Sequence, residues 1–199
     1  MALHFSKEEF EKRKSKTLKS MKELNLDALL MFRQESMFWL TGYDTFGYVF
    51  FQTLILDQKG NIILLTRAPD LRQAQNTSNI KDIRIWVDKD NSNPTDDLKI
   101  ILNELDLKGK KIGIEYEAYG MTGRNALKLN KSLDNYCDVE DQSELITKHR
   151  VIKSNEEIVY VKKAAELADK ALNEAWKYTK AGASEAKILA EMQRVVLEG

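Results

Sequence analysis

At Asp141 the apolar residues of this chain change period, and no single type of layer accommodates what lies on both sides of that point. Before it, short apolar runs alternate with amphipathic stretches. Residues 28–32 and 37–40 are two such runs. Residues 48–56 and 61–66 flank the polar turn Asp57-Gln-Lys-Gly60, which predicts an antiparallel hairpin. Residues 83–87 alternate as a strand and lead into a polar loop containing Pro94. Residues 95–105 place Leu98, Ile101, Leu102 and Leu105 on one helical face. A strand over 111–115, a helix over 122–133 and a last strand over 136–139 follow. Strands interleaved with helices, with one hairpin among them, predict a mixed α/β layer structure over residues 1 to about 140.

Past Asp141 no strand pattern recurs. Ser154-Asn-Glu-Glu157 has the form of a capping box. Ile158, Val161, Ala165, Ala168, Leu172 and Ala175/Trp176 then repeat at spacings of three and four. Gly182 interrupts, Ser184 is placed to cap a second helix, and Ile188, Leu189, Met192, Val195 and Val196 form its apolar face. Two long amphipathic helices with no sheet of their own to cover make a second unit that looks unfinished.

The amino terminus is helical by the same criteria. Ser6-Lys-Glu-Glu9 predicts a capping box, and Phe10, Lys14, Leu18, Met21 and Leu24 mark a narrow buried stripe. Seven Lys/Arg against four Glu through residue 24 make the rest of that helix a basic, solvated face. Over the whole chain 31 basic side chains balance 31 acidic ones, which speaks against a nucleic-acid partner, since phosphate recognition needs a cationic surplus. The longest charge-free run, residues 45–56, is too short to span a bilayer, and no apolar core of a secretory signal occurs in the first 20 residues. The single cysteine, Cys137, excludes an internal disulfide, and the expected compartment is a reducing cytoplasm. At 199 residues the chain can bury roughly 70% of its unfolded surface and needs no metal or disulfide to fold.

Chemistry-bearing motifs are scarce. The two histidines, His4 and His149, stand in no H-E-x-x-H or related context and read as solvated surface residues; no C-x-x-C exists. Cys137 reads as a buried, inert thiol within a strand. No nucleophile elbow, Walker loop or dinucleotide-binding glycine motif is present. The acidic residues Asp88, Asp90, Asp96 and Asp97 lack the order of a calcium loop and read as a solvated surface.

Four stretches taken together resemble the creatinase/prolidase/aminopeptidase P family. Phe38-Trp-Leu-Thr-Gly-Tyr43 resembles the aromatic-Leu-Thr-Gly segment of that family's amino-terminal domain, and Lys111-Ile-Gly-Ile-Glu115 a strand near that domain's end. His149-Arg-Val-Ile-Lys-Ser-Asn-Glu-Glu-Ile158 resembles the junction that opens the first helix of the catalytic half. Ala181-Gly-Ala-Ser-Glu185 resembles the start of that half's second helix, with Ala181 where proline is usual and Lys187 where an acidic residue is common. The resemblance implies a mixed-sheet, ribonuclease-H-like α/β domain over residues 1–148. Residues 149–199 would then be the first two helices of a truncated pita-bread catalytic domain.

The family's catalytic half holds two divalent metals (manganese, cobalt or zinc) that activate a water. On this resemblance those ligands all follow Gly199, so the chain is expected to be an inactive fragment of a cytoplasmic, homodimeric hydrolase acting on Xaa-Pro peptides. A creatinase-type hydrolase of small C–N compounds and a non-enzymatic peptide- or protein-binding domain are the alternatives. In this family the amino-terminal domain commonly packs on a neighbouring subunit and helps to close its active site. Tyr43, Asp44, Phe46, Tyr48 and Arg67 are then the candidate substrate-binding or interface residues, with Arg67 pairing a substrate carboxylate. The competing reading makes Phe46 and Tyr48 the start of a core strand and Arg67 a surface residue at the hairpin's end.

Overall fold

The computed structural model describes residues 3–199, which divide into two compact units, residues 3–152 and 153–199. The first unit is a six-stranded mixed sheet covered by helices on both faces. Its elements in chain order are α1 (Lys7–Glu23), β1 (Ala28–Met31), α2 (Gln34–Thr41), β2 (Thr53–Asp57), β3 (Ile62–Arg67) and α3 (Leu71–Thr77). There follow β4 (Asp82–Trp86), α4 (Pro94–Glu104), β5 (Lys111–Ile114), α5 (Gly123–Leu133), β6 (Asp138–Asp141) and α6 (Leu145–Val151). The strands lie in the order β4-β3-β2-β1-β5-β6. The meander β1-β2-β3 is antiparallel, β5 and β6 run parallel to β1, and β4 is added parallel to β3. Without β4 this is a ribonuclease-H-like arrangement.

The apolar runs are continuous because the central strands are buried on both faces. Ala28, Leu30, Ile55, Ile63, Leu65, Ile112 and Ile114 face one core, closed by Leu98, Ile101 and Leu102 of α4 and Leu129 and Leu133 of α5. Leu29, Met31, Leu54, Leu56 and Leu64 face the other, closed by Met21 of α1, Met37 and Leu40 of α2, Ala74 of α3 and Leu145 and Ile146 of α6. The hairpin turn is stapled by its own aspartate: Asp57 accepts from the Asn61 backbone amide at 2.8 Å and from the Asn61 side-chain amide at 2.7 Å.

Several elements differ from the sequence reading. Strand β2 begins at Thr53, not at residue 48, because residues 47–49 form a short 3-10 turn; Phe46 and Tyr48 start no strand. The last strand begins two residues late, since Asn135 adopts a left-handed conformation and the Tyr136 and Cys137 amides both bond back to the Leu133 carbonyl. Cys137 is therefore half-buried in a turn, and burial pushes its thiol up to about 11. Helix α1 turns Glu9, Phe10, Arg13, Thr17 and Met21 inward, and Leu24 lies outside the core. The buried Arg13 donates to Glu9 (3.0 Å) and to the Trp39 carbonyl (2.8 Å) and lies over the Phe5 ring, which is how a cation is accommodated there. Helices α3 and α6 have too short an apolar pattern to be read in advance.

The second unit is a helical hairpin, α7 (Asn155–Tyr178) and α8 (Glu185–Glu198). The capping box at its start is present in full: the Glu157 amide donates to Ser154 Oγ, and the Ser154 amide donates to the Glu157 carboxylate. Among the described residues of the two helices, only Ala171 is buried, and Leu172, Trp176, Leu189 and Leu197 are all more than half exposed.

Within the sheet, Glu115 at the end of β5 is completely buried. Its carboxylate accepts from the Phe32 and Arg33 amides, both at 3.1 Å, and from the Ser36 hydroxyl at 2.6 Å, which ties β5 to the junction between β1 and α2. Burial pushes this carboxyl up to about 7, with the Ser36 hydroxyl, the Arg33 amide and charge and the Phe32 amide pulling the other way. A folded-state value above the unfolded one means that the native state holds the proton more tightly. The resulting stability is present below about 4.5 and is lost as pH rises through about 7. Chemical denaturation at a series of pH values is expected to show Glu115→Gln, which mimics the protonated acid, free of this loss. Glu115→Ala, which strands the Phe32 and Arg33 amides, is expected to cost about 1–3 kcal/mol per unsatisfied group at every pH.

Candidate functional site

Strands β1, β3, β4 and β5 all end, and β2 begins, at the same end of the sheet. The connecting segments therefore converge there: residues 32–33, 43–52, 67–70 and 115–121. Loops at the carboxyl ends of parallel strands are where an open α/β sheet presents binding groups.

The expected site residues separate into a support and a rim. Tyr43 is completely buried; its hydroxyl donates to Gln52 Oε1 at 2.9 Å, and the Thr66 hydroxyl donates to the same oxygen at 3.1 Å. Burial pushes its phenol above the ordinary value, so Tyr43 is a neutral structural post beneath the loop. Asp44 is exposed, with its backbone amide on the Thr77 hydroxyl of α3. Phe46 is 87% exposed. Tyr48 stands edge-on to Tyr119, with ring centroids 5.6 Å apart. Arg67 is held internally: its Nε donates to Asp70 Oδ2 at 3.1 Å, and its guanidinium carbon lies 3.4 Å from the Phe50 ring centroid.

The structure adds residues that sequence patterns did not single out. Phe46, Tyr48, Val49, Phe50 and Tyr119 together form an exposed apolar rim with Arg67 seated against it. Asp70 is buried and positions the loop twice, by pairing Arg67 and by abutting Gly47, where a Cβ would come within 2.6 Å of its carboxylate oxygen. Gly120 lets the segment 115–121 pass against the loop, since a Cβ there would lie 2.3 Å from the Phe50 carbonyl oxygen. Beside the rim, Arg33 donates to the Glu117 carbonyl (2.9 Å), the Glu117 carboxylate (2.7 Å) and the Thr147 hydroxyl (2.6 Å). It borders a cavity of about 440 Å³ lined also by Glu35, Tyr116 and Tyr119. The signals for this arrangement were faint: a glycine in Tyr-Gly-Met and an aspartate after Pro69 name no partner until the chain is folded.

No group of three or more His, Cys, Asp or Glu side chains among the described residues converges to hold a metal ion. His4 is exposed and lies near the Phe38 ring. His149, expected on the surface, is instead half-buried and stacked on Trp39. The side chains of the described residues do not fit a pair of divalent metals. Among the described residues no helix is long and apolar enough to cross a membrane.

A ribonuclease-H-like α/β domain followed by a helical hairpin is the class of structure these observations define. Residues 13–152 match the creatinase/prolidase N-terminal domain, and the chain belongs to that family. It is 26% identical over 204 residues to an uncharacterised hydrolase/peptidase of Sinorhizobium fredii, an alignment covering 99% of this chain and 52% of that protein. It is 25% identical over 213 residues to the ectoine hydrolase of Halomonas elongata, covering 100% of this chain and 51% of that protein. The prolidase of Thermococcus sibiricus superposes with a TM-score of 0.76 at 22% identity, over 94% of this chain and 49% of that one, a likeness of fold. The chain spans about half the length of the curated relatives it matches. Its first unit is a prolidase-like amino-terminal domain.

Two glycines three residues apart test how the rim is built. Gly120→Ala is expected to destabilise the protein by about 1–3 kcal/mol, because its Cβ meets rigid backbone. Gly123→Ala, which meets nothing within 4 Å, is expected to be neutral or slightly stabilising in the first turn of α5. Urea denaturation followed by tryptophan fluorescence distinguishes the two.

Proposed function

We propose that this chain is the amino-terminal part of a metal-dependent Xaa-Pro dipeptidase- or aminopeptidase-like hydrolase. In this reading it contributes to subunit association and to closure of a substrate pocket, and it is not itself catalytic. The observation that carries the reading is the match of residues 13–152 to the creatinase/prolidase N-terminal domain in a chain half the length of its relatives. The helical hairpin opens the catalytic half, whose remaining polypeptide covers the apolar faces around Leu172, Trp176 and Leu189. Two divalent metals, manganese, cobalt or zinc, are held by side chains of that remaining polypeptide. The enzyme is a cytoplasmic homodimer.

Within the proposal, the rim of Phe46, Tyr48 and Phe50 is the surface offered to the neighbouring subunit's pocket. Tyr43 supports it from below, Asp44 flanks it, and Arg67 supplies the cationic group for a substrate carboxylate. Arg67 is pre-positioned by Asp70 and Phe50, so little side-chain freedom remains to be lost on binding.

A second reading, hydrolysis of a small C–N compound, is favoured by one observation, the similarity over the full chain to an ectoine hydrolase. The deciding experiment assays the chain of 199 residues and the longer protein side by side, with added manganese, on Xaa-Pro dipeptides and on ectoine. The proposal expects the longer protein to cleave the dipeptides and the short chain to be inactive. Cleavage by the short chain, or turnover of ectoine alone by the longer one, overturns it. In the longer protein, Arg67→Glu is expected to raise KM several-fold with a smaller change in kcat; unchanged kinetics removes Arg67 from the site.

A further inference from the structure

Helix α6 is the last element of the α/β unit, and its His149 is held in surroundings suited only to a neutral ring. The imidazole stacks on the Trp39 indole of α2, with centroids 6.0 Å apart and planes 20° from parallel. Its Nε2 is shielded from water and has no hydrogen-bond partner. From α1, the Lys16 ammonium reaches the His149 carbonyl oxygen at 3.4 Å and adds a like charge to any imidazolium. Glu23, also on α1, is the acidic group acting on the ring from that side, and it is shared with Lys19. Helix α2 presents the Trp39 ring. The remaining charged groups beside His149 line a cavity of about 490 Å³: Asp141 and Glu144 before and at the start of α6, and Lys148 on α6 itself.

We infer that His149 is a built-in acid switch: protonation of its ring releases α6 from α1 and α2 and so loosens the segment that leads into the second unit. A charged imidazole needs a hydrogen-bond partner at both nitrogens or exposure to water, and the stacked, shielded Nε2 has neither. Opening α6 restores solvent to the ring. Burial first, and then Lys16, hold the native-state value below the ordinary 6.5, with Glu23 opposing. A lowered value means that the open form binds the proton better. The docked form is therefore fully favoured above about 6.5 and loses ground as pH falls below it. Leu145 and Ile146 anchor the amino-terminal part of α6 in the core, and Thr147 is bonded to Arg33. The opening is local, and the sheet persists.

The test is backbone amide exchange in residues 145–151 of the whole chain at about pH 7.5 and about pH 5.5, corrected for intrinsic exchange rates. One unit below the ordinary histidine value, the open form gains at most a factor of about ten. Protection of α6 is expected to fall by several-fold up to that limit, while the amides of β1 and β2 keep theirs. His149→Phe preserves the stack without a titrating nitrogen and is expected to remove the fall. Unchanged protection in the wild type, or an equal fall in His149→Phe, overturns the inference. Should that variant fail to fold, an NMR titration of the His149 ring in the wild type decides: a value below 6.5 supports the switch, and one at or above it overturns it.

Discussion

The buried carboxylate of Glu115 is the interaction on which the working end of this domain depends. One side chain takes two backbone amides at the β1–α2 junction and the hydroxyl of Ser36, joining segments roughly 80 residues apart in the chain. The direction in which α2 leaves the sheet is set there. Helix α2 in turn carries Trp39, whose carbonyl takes the buried Arg13 and whose ring takes His149. Arg33, next to the bonded amide, reaches both Glu117 and Thr147. Helices α1, α2 and α6 are thus arranged around a junction that a single acid holds in register. Most of the energy of the unit lies in the two apolar layers of the sheet; Glu115 selects which way the chain leaves it.

At the same end of the sheet, the rim of aromatic residues is supported by close backbone approach. Gly120 admits the Phe50 carbonyl, Gly47 admits Asp70, and Asp70 holds Arg67 flat against Phe50. The result is an exposed apolar surface with one cation held in a fixed orientation against it. The rim is built from loops, yet each loop is pinned to a strand end by a buried group, whether Tyr43, Asp70 or Glu115.

The two units contrast in how they satisfy their apolar residues. The α/β unit closes both faces of its sheet and buries its largest side chains completely. The helical hairpin has correct local grammar, with its capping box formed, but its apolar positions remain uncovered among the described residues. Local rules set where a helix starts; only another surface can bury its face. That contrast stands beside coverage of about half the length of each curated relative.

Much of this architecture was legible in the residues alone, because it is written in periodicity. The doubly buried strands read as continuous apolar runs, the hairpin as two runs about Asp57 and Gly60, α4, α7 and α8 as repeats of three and four, and α7 with its capping box. Resemblance in the segments at 38–43, 111–115, 149–158 and 181–185 placed the family. Wherever long-range pairing outweighs local pattern, sequence stopped short. Residues 48–52 have a strand's composition, but residues 47–49 form a 3-10 turn, Gly120 packs against the Phe50 carbonyl, and Phe46 and Tyr48 are exposed. Arg13 and Glu9 look like members of a solvated face, but Phe5 and Trp39 bury Arg13 and leave Glu9 as its ion-pair partner. His149 looks like a surface histidine, but Trp39 stacks on its ring and Lys16 reaches its carbonyl, both more than a hundred residues away in the chain. Composition and spacing determined the layers and the helix starts, and the resemblance of four segments pointed to the family. Tertiary contact decided which polar groups lie buried and which aromatic ones face outward, since each depends on a neighbour that no local window of sequence contains.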